Sequence, residues 1–259
     1  AISVYLALLE HVKDRVKKEE LLELLGNTYF KGGFLQRSNE IFLRILKFSP
    51  RNKNALKSLL LVNEKLKNFK KSKEIAQALE ELNIDVSVEK VYFDTLIILN
   101  DPILSYEKRT ELLFEIFKEN KIIQRIFATF LIQSNREFFF SNIDMFDCEK
   151  LIDILWYQKK EDIDFDKIKN NQFLNELYSA KNYINSVSTS SDFDLNILIL
   201  INKYQKDIKT NLTFEFICNS CKHSSPFYEA RCPNCHSILS LEVKHHLTKA
   251  YELSNQSLQ

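Results

Sequence analysis

The chain has 259 residues, and its composition indicates a folded and mainly helical protein. It is 45% hydrophobic and 27% charged, a balance that supports a buried core and excludes wholesale disorder. Its three Gly all lie between positions 26 and 33, which excludes the glycine-rich phosphate loops and the nucleophile elbow of hydrolases. Scarce Gly and Pro favour helices over turn-rich β structure.

The overall charge and hydropathy give little information about partners. The net charge is +1, from 36 Lys and Arg against 35 Asp and Glu. No run of 18 apolar residues and no secretory signal pattern is present. Because the chain begins with Ala1 and not Met, we expect it to be a fragment of a longer protein.

A 34-residue repeat frame begins at Glu19. Nine positions carry the small or large apolar residues, or the proline, that a helical hairpin needs. They are Leu22, Leu25, Gly26, Tyr29, Gly33, Ser38, Phe42, Ile45 and Pro50. This is the tetratricopeptide pattern, in which small residues let two helices approach and large ones fill the seam between them. A second, degenerate frame begins at Lys53.

Helical periodicity continues beyond the second frame without the repeat consensus. The predicted helices lie at 2–11, 88–99, 104–117, 122–133, 148–158, 173–183 and 195–204. We interpret the middle segments as diverged hairpins, so the residues before 218 would hold about six repeat units. The segment 2–11 resembles the second helix of a repeat whose first helix is missing, which predicts an exposed apolar flank.

Four of the five Cys lie within eighteen residues near the C-terminus. They are Cys218, Cys221, Cys232 and Cys235. Two C-x-x-C pairs, ten residues apart, predict two knuckles that place four thiolates in a tetrahedron. Soft sulfur ligands select zinc or iron, and we predict Zn²⁺ with Fe as the alternative. All four ligands come from the protein, so the predicted site is closed and structural, and no catalytic residue is predicted.

The remaining Cys and the neighbouring His are predicted to take no part in chemistry. Cys148 is expected to be a small buried side chain. The pair His245 and His246 is expected to be solvated, and His223 and His236 are not expected to be ligands. Residues 211–259 carry four cations and four anions, which predicts no nucleic-acid partner.

A basic stretch runs from position 44 to position 73, with ten cations and one anion and therefore a local net charge of +9. One interpretation is a solvated helical face. The functional interpretation is a docking surface for an acidic protein partner or for anionic lipid headgroups. The candidate partner-binding residues are Arg44, Lys47, Lys57, Lys65, Lys67, Lys70 and Lys71.

Together these features predict an all-α fold, a tetratricopeptide-like helical-repeat solenoid with a small C-terminal rubredoxin-like zinc ribbon. We expect repeats at 1–184, a linker loop and connecting helix at 185–210, the ribbon at 211–243 and a tail at 244–259. The ribbon is too small to fold on apolar burial alone, so the metal would supply much of its folding free energy.

The combination resembles the lipopolysaccharide assembly protein B (LapB/YciM-like) family. The resemblance is carried by LELLGNTY at 22–29, by GFLQRS at 33–38 with its Arg37, and by the ten-residue spacing and C-P-x-C second knuckle of the ribbon. It covers about residues 1–82 and 193–240. The chain departs from the family at Lys222, where a Gly is usual, and at 227–230, where no Trp is present.

The resemblance implies a non-enzymatic adaptor that regulates lipopolysaccharide synthesis. It would link a membrane AAA+ protease to the deacetylase that commits lipid A synthesis. It would lie at the cytoplasmic face of the bacterial inner membrane, through an N-terminal anchor missing from this fragment, and the four clustered Cys would be the metal ligands. Two alternatives stay open, a rubredoxin-like redox module and an assembly chaperone on a repeat scaffold.

Overall fold

The computed structural model describes residues 1–205 and 210–249, which form a mainly helical protein with one small sheet. Residues 206–209 of the predicted connecting segment and 250–259 of the predicted tail lie outside the described residues. The chain divides into two compact units, a first unit of residues 1–116 and a second unit of residues 117–259. In the described ranges, no helix combines the length and the apolarity needed to cross a bilayer.

The first unit is a series of helices in which each helix from α1 to α5 packs on the one that follows it, and α2 also contacts α4. The helices are α1 (Ile2–His11), α2 (Arg15–Lys31), α3 (Leu35–Phe48), α4 (Lys53–Lys65), α5 (Phe69–Glu80), α6 (Ser87–Asn100) and α7 (Tyr106–Glu119), whose last three residues belong to the second unit. The predicted helix at 2–11 is α1. It buries no residue, and Val4 and Leu8 are exposed, as expected of an apolar flank.

The turns that join paired helices in the first unit repeat after 34 residues. The backbone N–H of Phe34 donates to the carbonyl of Tyr29 at 2.9 Å. In the next hairpin the N–H of Asn68 donates to the carbonyl of Asn63 at 2.8 Å, so both partners have moved by 34 positions. The same local backbone structure therefore recurs with the period of the sequence frame.

Two further features keep this period. Gly33 and Lys67 are equivalent positions, and both have a positive φ, 77° and 60°. Helices α4 and α6 begin at Lys53 and Ser87, again 34 residues apart. The helix spacing therefore continues one frame beyond the point where the sequence consensus fades.

Gly26 allows α2 and α3 to approach closely. A Cβ atom at Gly26 would lie 2.7 Å from Cζ of Phe42, whose side chain is fully buried. The hydroxyl of Ser38, also buried, donates to the carbonyl of Gly26 at 2.8 Å. The small residues that the repeat frame selects therefore lie where the two helices touch.

The second unit has shorter and less regular helices. After α7 come α8 (Gln124–Ser134), α9 (Arg136–Ser141), α10 (Ile152–Trp156), α11 (Gln172–Ala180) and α12 (Phe193–Tyr204), with 3-10 turns between them. About six helical-hairpin units, the middle ones diverged in sequence, were expected before the ribbon, but between positions 135 and 171 the α-helices have only five or six residues. Asn135 ends α8, and its side chain accepts the N–H of Phe138 and so starts α9 at once.

Aromatic side chains fill the centre of the second unit. The rings of Phe117 and Phe146 stack with centroids 4.6 Å apart, and Phe127 lies 5.4 Å from Phe117. Cys148 follows Phe146 by two positions and is buried, as predicted. Burial, together with the nearby charges of Asp147 and Asp144, raises the pKa of the Cys148 thiol to about 12. Such a thiol stays protonated and unreactive at neutral pH.

The sheet has three antiparallel strands in the order β2-β1-β3. They are β1 (Thr210–Cys218), β2 (Ser224–Ser225) and β3 (Leu241–Lys249). Strands β1 and β3 pair along their whole length, from Thr210 opposite Lys249 to Cys218 opposite Leu241. The strand therefore continues beyond position 243, where the ribbon was expected to end, and residues 244–249 of the predicted tail belong to it.

The extended strand β3 corrects the expectation that His245 is solvated. Its Nε2 lies 3.0 Å from Oδ2 of Asp192, the residue that caps α12, and its side chain is only 21% exposed. His246 points to the opposite face of the strand, because side chains alternate, and is 60% exposed beside Glu215. No local sequence pattern around the two His predicts the contact of His245 with Asp192.

Candidate metal centre

The first knuckle begins at Cys218, the last residue of β1. The N–H of Cys218 donates to the carbonyl of His223 at 2.9 Å, and the N–H of Lys222 donates back to the carbonyl of Cys218 at 2.8 Å. These two bonds close a tight turn around Cys221. The turn leads directly into β2, which pairs with β1.

The second knuckle repeats the first one fourteen residues later. The N–H of Cys232 donates to the carbonyl of Ser237 at 2.9 Å, and the N–H of His236 donates to the carbonyl of Cys232 at 2.9 Å. The residue after each C-x-x-C is left-handed, with φ 61° at Lys222 and 63° at His236. Gly is the residue that adopts this conformation without cost. Lys222 and His236 therefore adopt, as non-glycine residues, a turn backbone that favours Gly.

The four thiols lie close together. The Sγ atoms of Cys218 and Cys235 are 3.7 Å apart, and those of Cys221 and Cys232 are 3.6 Å apart. All four Sγ atoms lie within 4.8 Å of one another. Four sulfurs at about 2.3 Å from a tetrahedral ion would be separated by about 3.8 Å. The cluster therefore has the dimensions of a closed four-sulfur site and could hold a metal ion, and zinc and iron both suit such a donor set.

The cluster is buried on one side and exposed to solvent on the other. Cys218 and Cys232 are buried against Phe216 and Leu241, whereas Cys235 is exposed. Within the described residues the cluster consists of four thiols, and neither His223 nor His236 belongs to it.

Polar groups surround the sulfur atoms. Oγ of Ser240 lies 3.3 Å from Sγ of Cys218, and Oγ of Ser237 lies 3.3 Å from Sγ of Cys235. The side-chain amide of Asn234 donates to Sγ of Cys221 at 3.5 Å. An N–H donor such as the Asn234 amide stabilises a thiolate and orients a metal ligand.

Hydrogen bonds lower the pKa of one buried thiol. Burial acts to raise the pKa of Cys218, but hydrogen bonds from Ser240 and from the backbone N–H groups of Cys221 and Ser220 outweigh it and lower the pKa to about 6. At Cys232 burial prevails and raises the pKa to about 11. A metal that binds all four thiolates would therefore release protons at neutral pH.

The ribbon is joined to the helices of the second unit through Arg125 on α8. Its guanidinium lies 4.1 Å from the ring centroid of Tyr228 and 5.1 Å from that of Phe216, both in the ribbon. It also forms a buried ion pair with Asp153 and donates to the carbonyl of Lys150 at 3.1 Å. Sequence reasoning missed Arg125, since no local pattern distinguishes it from a surface cation.

A second connection lies along β1. The indole N–H of Trp156 donates to Oδ1 of Asn211 at 2.9 Å. The ring of Tyr157 lies edge-on to that of Phe214, with centroids 5.7 Å apart. Trp156 is the single Trp of the chain, so its fluorescence reports this contact.

The seven predicted partner-binding residues lie in the first unit, and the structure brings three of them together. Lys67, Lys70 and Lys71 line one groove at the turn between α4 and α5. The other four are exposed on the preceding helices and do not line this groove. They are Arg44 and Lys47 on α3, and Lys57 and Lys65 on α4.

Comparisons with known proteins assign the chain to no group. No protein-family model matches it, and no curated protein sequence matches it. The resemblance to the lipopolysaccharide assembly protein B family therefore stays a prediction that rests on the residues quoted for it.

Proposed function

We propose that the chain is a non-catalytic adaptor, in which helical repeats offer the binding surface and the four-Cys ribbon is a structural zinc centre. The observation that carries this proposal is the closed cluster. Its four thiols supply every ligand that a tetrahedral ion takes, which leaves no position for water or substrate.

The repeat part of the proposal is a solenoid of tetratricopeptide type. It is supported by the close approach of Phe42 to Gly26 and by the left-handed turns at Gly33 and Lys67. Repeats of this kind expose long surfaces and bind other proteins far more often than they catalyse reactions.

The metal would act on the helices as well as on the ribbon. The knuckles hold Phe216 and Tyr228 in place, and these rings cover the guanidinium of Arg125 on α8. Loss of the metal would release the rings and expose the ion pair between Arg125 and Asp153. In this proposal the metal state therefore decides whether the second unit presents a folded surface.

The most specific form of the proposal follows the family resemblance. The chain would act at the cytoplasmic face of the bacterial inner membrane, held there by an N-terminal anchor, and would link a membrane AAA+ protease to the deacetylase of lipid A synthesis. It is supported by the motifs at 22–29 and 33–38 and by the C-P-x-C knuckle.

A capture experiment from bacterial membranes tests this form. The tagged chain is compared with Cys218→Ser, which removes a ligand, and with Cys148→Ala, a matched change at the Cys outside the cluster. We expect wild type and Cys148→Ala to recover both the protease and the deacetylase, and Cys218→Ser to lose at least one. Recovery of neither enzyme by wild type would contradict the adaptor role, and equal recovery by all three chains would contradict its dependence on the four-Cys centre.

The exposure of Cys235 favours a second candidate, a rubredoxin-like redox module. A four-sulfur iron site with one sulfur at the surface can exchange an electron with a partner. Iron would give the purified protein visible absorption that bleaches reversibly on reduction, whereas a zinc protein is colourless.

A further inference from the structure

We propose that the groove between the α4–α5 turn and the segment after α6 binds an acidic segment of a partner protein, with an apolar residue among its carboxylates. The inference rests on the proposed adaptor function and names the chemistry of one of its partners. The groove lies entirely within the first unit.

The groove has a cationic wall and an apolar wall. Its volume is about 640 Å³, enough for several side chains of a bound peptide. The cationic wall is formed by Lys67, Lys70 and Lys71. The apolar and neutral lining comes from Asn68, Phe69, Ile97, Asn100, Pro102 and Ile103. Ile103 is 89% exposed, so a large apolar side chain faces solvent beside the lysines.

The three lysines are available for a partner. Among the described residues, none of them makes an ion pair or a side-chain hydrogen bond, whereas Lys73 on the same helix pairs with Asp94. One acidic residue, Asp101, also lines the groove, and its carboxylate accepts the N–H of Ile103 at 2.9 Å. Three cations against one engaged carboxylate leave the groove positive, which complements an acidic ligand.

The backbone holds the cationic wall in place. Lys67 has a φ of 60°, and its N–H donates to the carbonyl of Glu64 at 2.9 Å. Helix α5 begins at Phe69, and the Asn68 side chain does not cap it, so its first N–H groups add partial positive charge on the same side. A fixed turn lowers the entropic cost of binding, because the lysine backbone is already ordered.

The shape of the groove favours a peptide over a membrane. Phe69 and Ile97 are half-buried at its lining and Ile103 projects beside them, so an apolar side chain has a place to insert. A flat layer of anionic headgroups would reach the exposed Lys67 and Lys70 but would leave this recess unfilled. In a peptide with acidic residues around one apolar residue, the carboxylates would contact the cationic wall and the apolar side chain would contact the apolar wall.

Peptide selection on the full chain tests the proposal. Random twelve-residue peptides are displayed to wild type, to a groove variant (Lys67→Glu, Lys70→Glu, Lys71→Glu) and to a control variant with the same change in net charge. The control carries Lys13→Glu, Lys17→Glu and Lys31→Glu, all exposed positions of the first unit outside the groove and outside the basic stretch. We expect wild type and control to enrich peptides with Asp or Glu around one apolar residue, and the groove variant to enrich none.

Titration of the best selected peptide measures the effect. We expect affinity about tenfold or more weaker for the groove variant, but less than about threefold weaker for the control. Ile103→Ser, which removes the apolar wall without changing charge, is expected to weaken binding several-fold. Circular dichroism of each variant verifies that it is folded.

Three results would overturn the proposal. The first is the absence of acidic peptides from the wild-type selection, and the second is equal loss in the groove and control variants. The third is sedimentation of the wild type with phosphatidylglycerol vesicles, dependent on the groove lysines, while no acidic peptide binds. Peptide binding at the groove without recovery of either enzyme from membranes would leave this proposal standing and reject the specific adaptor role.

Discussion

The two units of the chain hold their helices by different physical means. In the first unit, small residues such as Gly26 and Ser38 let two helices touch, and the turn between paired helices recurs after 34 residues. In the second unit, helices of irregular length surround stacked Phe rings and carry a ribbon whose knuckles converge on four thiols. A periodic unit can present an extended surface, whereas the stability of an aperiodic unit depends on a few long-range contacts.

Removal of the metal should give the largest difference between the units. Structural zinc in small domains contributes on the order of 10 kcal/mol, so a chelator should unfold the ribbon. We expect the fluorescence of Trp156 to shift to the red, because its bond to Asn211 is lost, while most of the helical circular dichroism remains. Unchanged Trp156 fluorescence after verified metal removal would show that the ribbon folds without metal.

Arg125→Ala should destabilise the second unit by about 3 kcal/mol, because it leaves the buried carboxylate of Asp153 without its partner. Thermal unfolding followed by Trp156 fluorescence measures the loss. Arg125→Lys keeps a charge but not the planar stack on Tyr228, so it should have an intermediate effect. An unaltered transition in Arg125→Ala would mean that this contact does not join the ribbon to the helices.

Gly26→Ala should destabilise the first unit by about 2 kcal/mol, since the added methyl meets the buried ring of Phe42. The Trp156 transition of the second unit should stay in place, and the loss should appear in circular dichroism. Adding Phe42→Leu provides the control, because a smaller side chain should restore part of the stability. A neutral or stabilising Gly26→Ala would contradict the close packing of α2 on α3.

High pH should destabilise the second unit selectively. The pKa of Cys148 is raised from 9.0 to about 12 in the folded state, so its contribution is fully present below pH 9 and is lost as pH rises toward 12. Burial also raises the pKa of Tyr178, which acts in the same direction. The expected slope is about 1.4 kcal/mol per pH unit for each group. Cys148→Ala should reduce the slope of Trp156 unfolding between pH 9 and 11, and an equal slope in both chains would reject this origin.

Local patterns in the sequence predicted the parts of the structure that local geometry determines. The repeat frame located Gly26 and Phe42, and the C-x-x-C spacing located the four thiols, because both depend on residues that are close in the chain. The mainly helical fold with a small Cys-bearing sheet is confirmed. These features need no knowledge of long-range contacts.

Long-range pairings were not predicted. Arg125 and Tyr228 are more than a hundred positions apart, and neither belongs to a periodic pattern that would bring them together. The contact of His245 with Asp192 and the groove that joins Lys67 to Ile103 likewise bring together residues that are far apart in the sequence. In place of the diverged helical hairpins that were expected, short helices follow the end of α8 at Asn135, where stacked aromatic rings pack irregularly.

The central proposal is that the four Cys of the ribbon hold a metal ion in a closed structural site. X-ray absorption spectroscopy of the purified full chain tests it most directly, together with metal content. We expect one zinc per chain with four sulfur neighbours at about 2.3 Å and no nitrogen or oxygen neighbour. A metal bound by three sulfurs and a water, or no metal lost on Cys218→Ser, would contradict it.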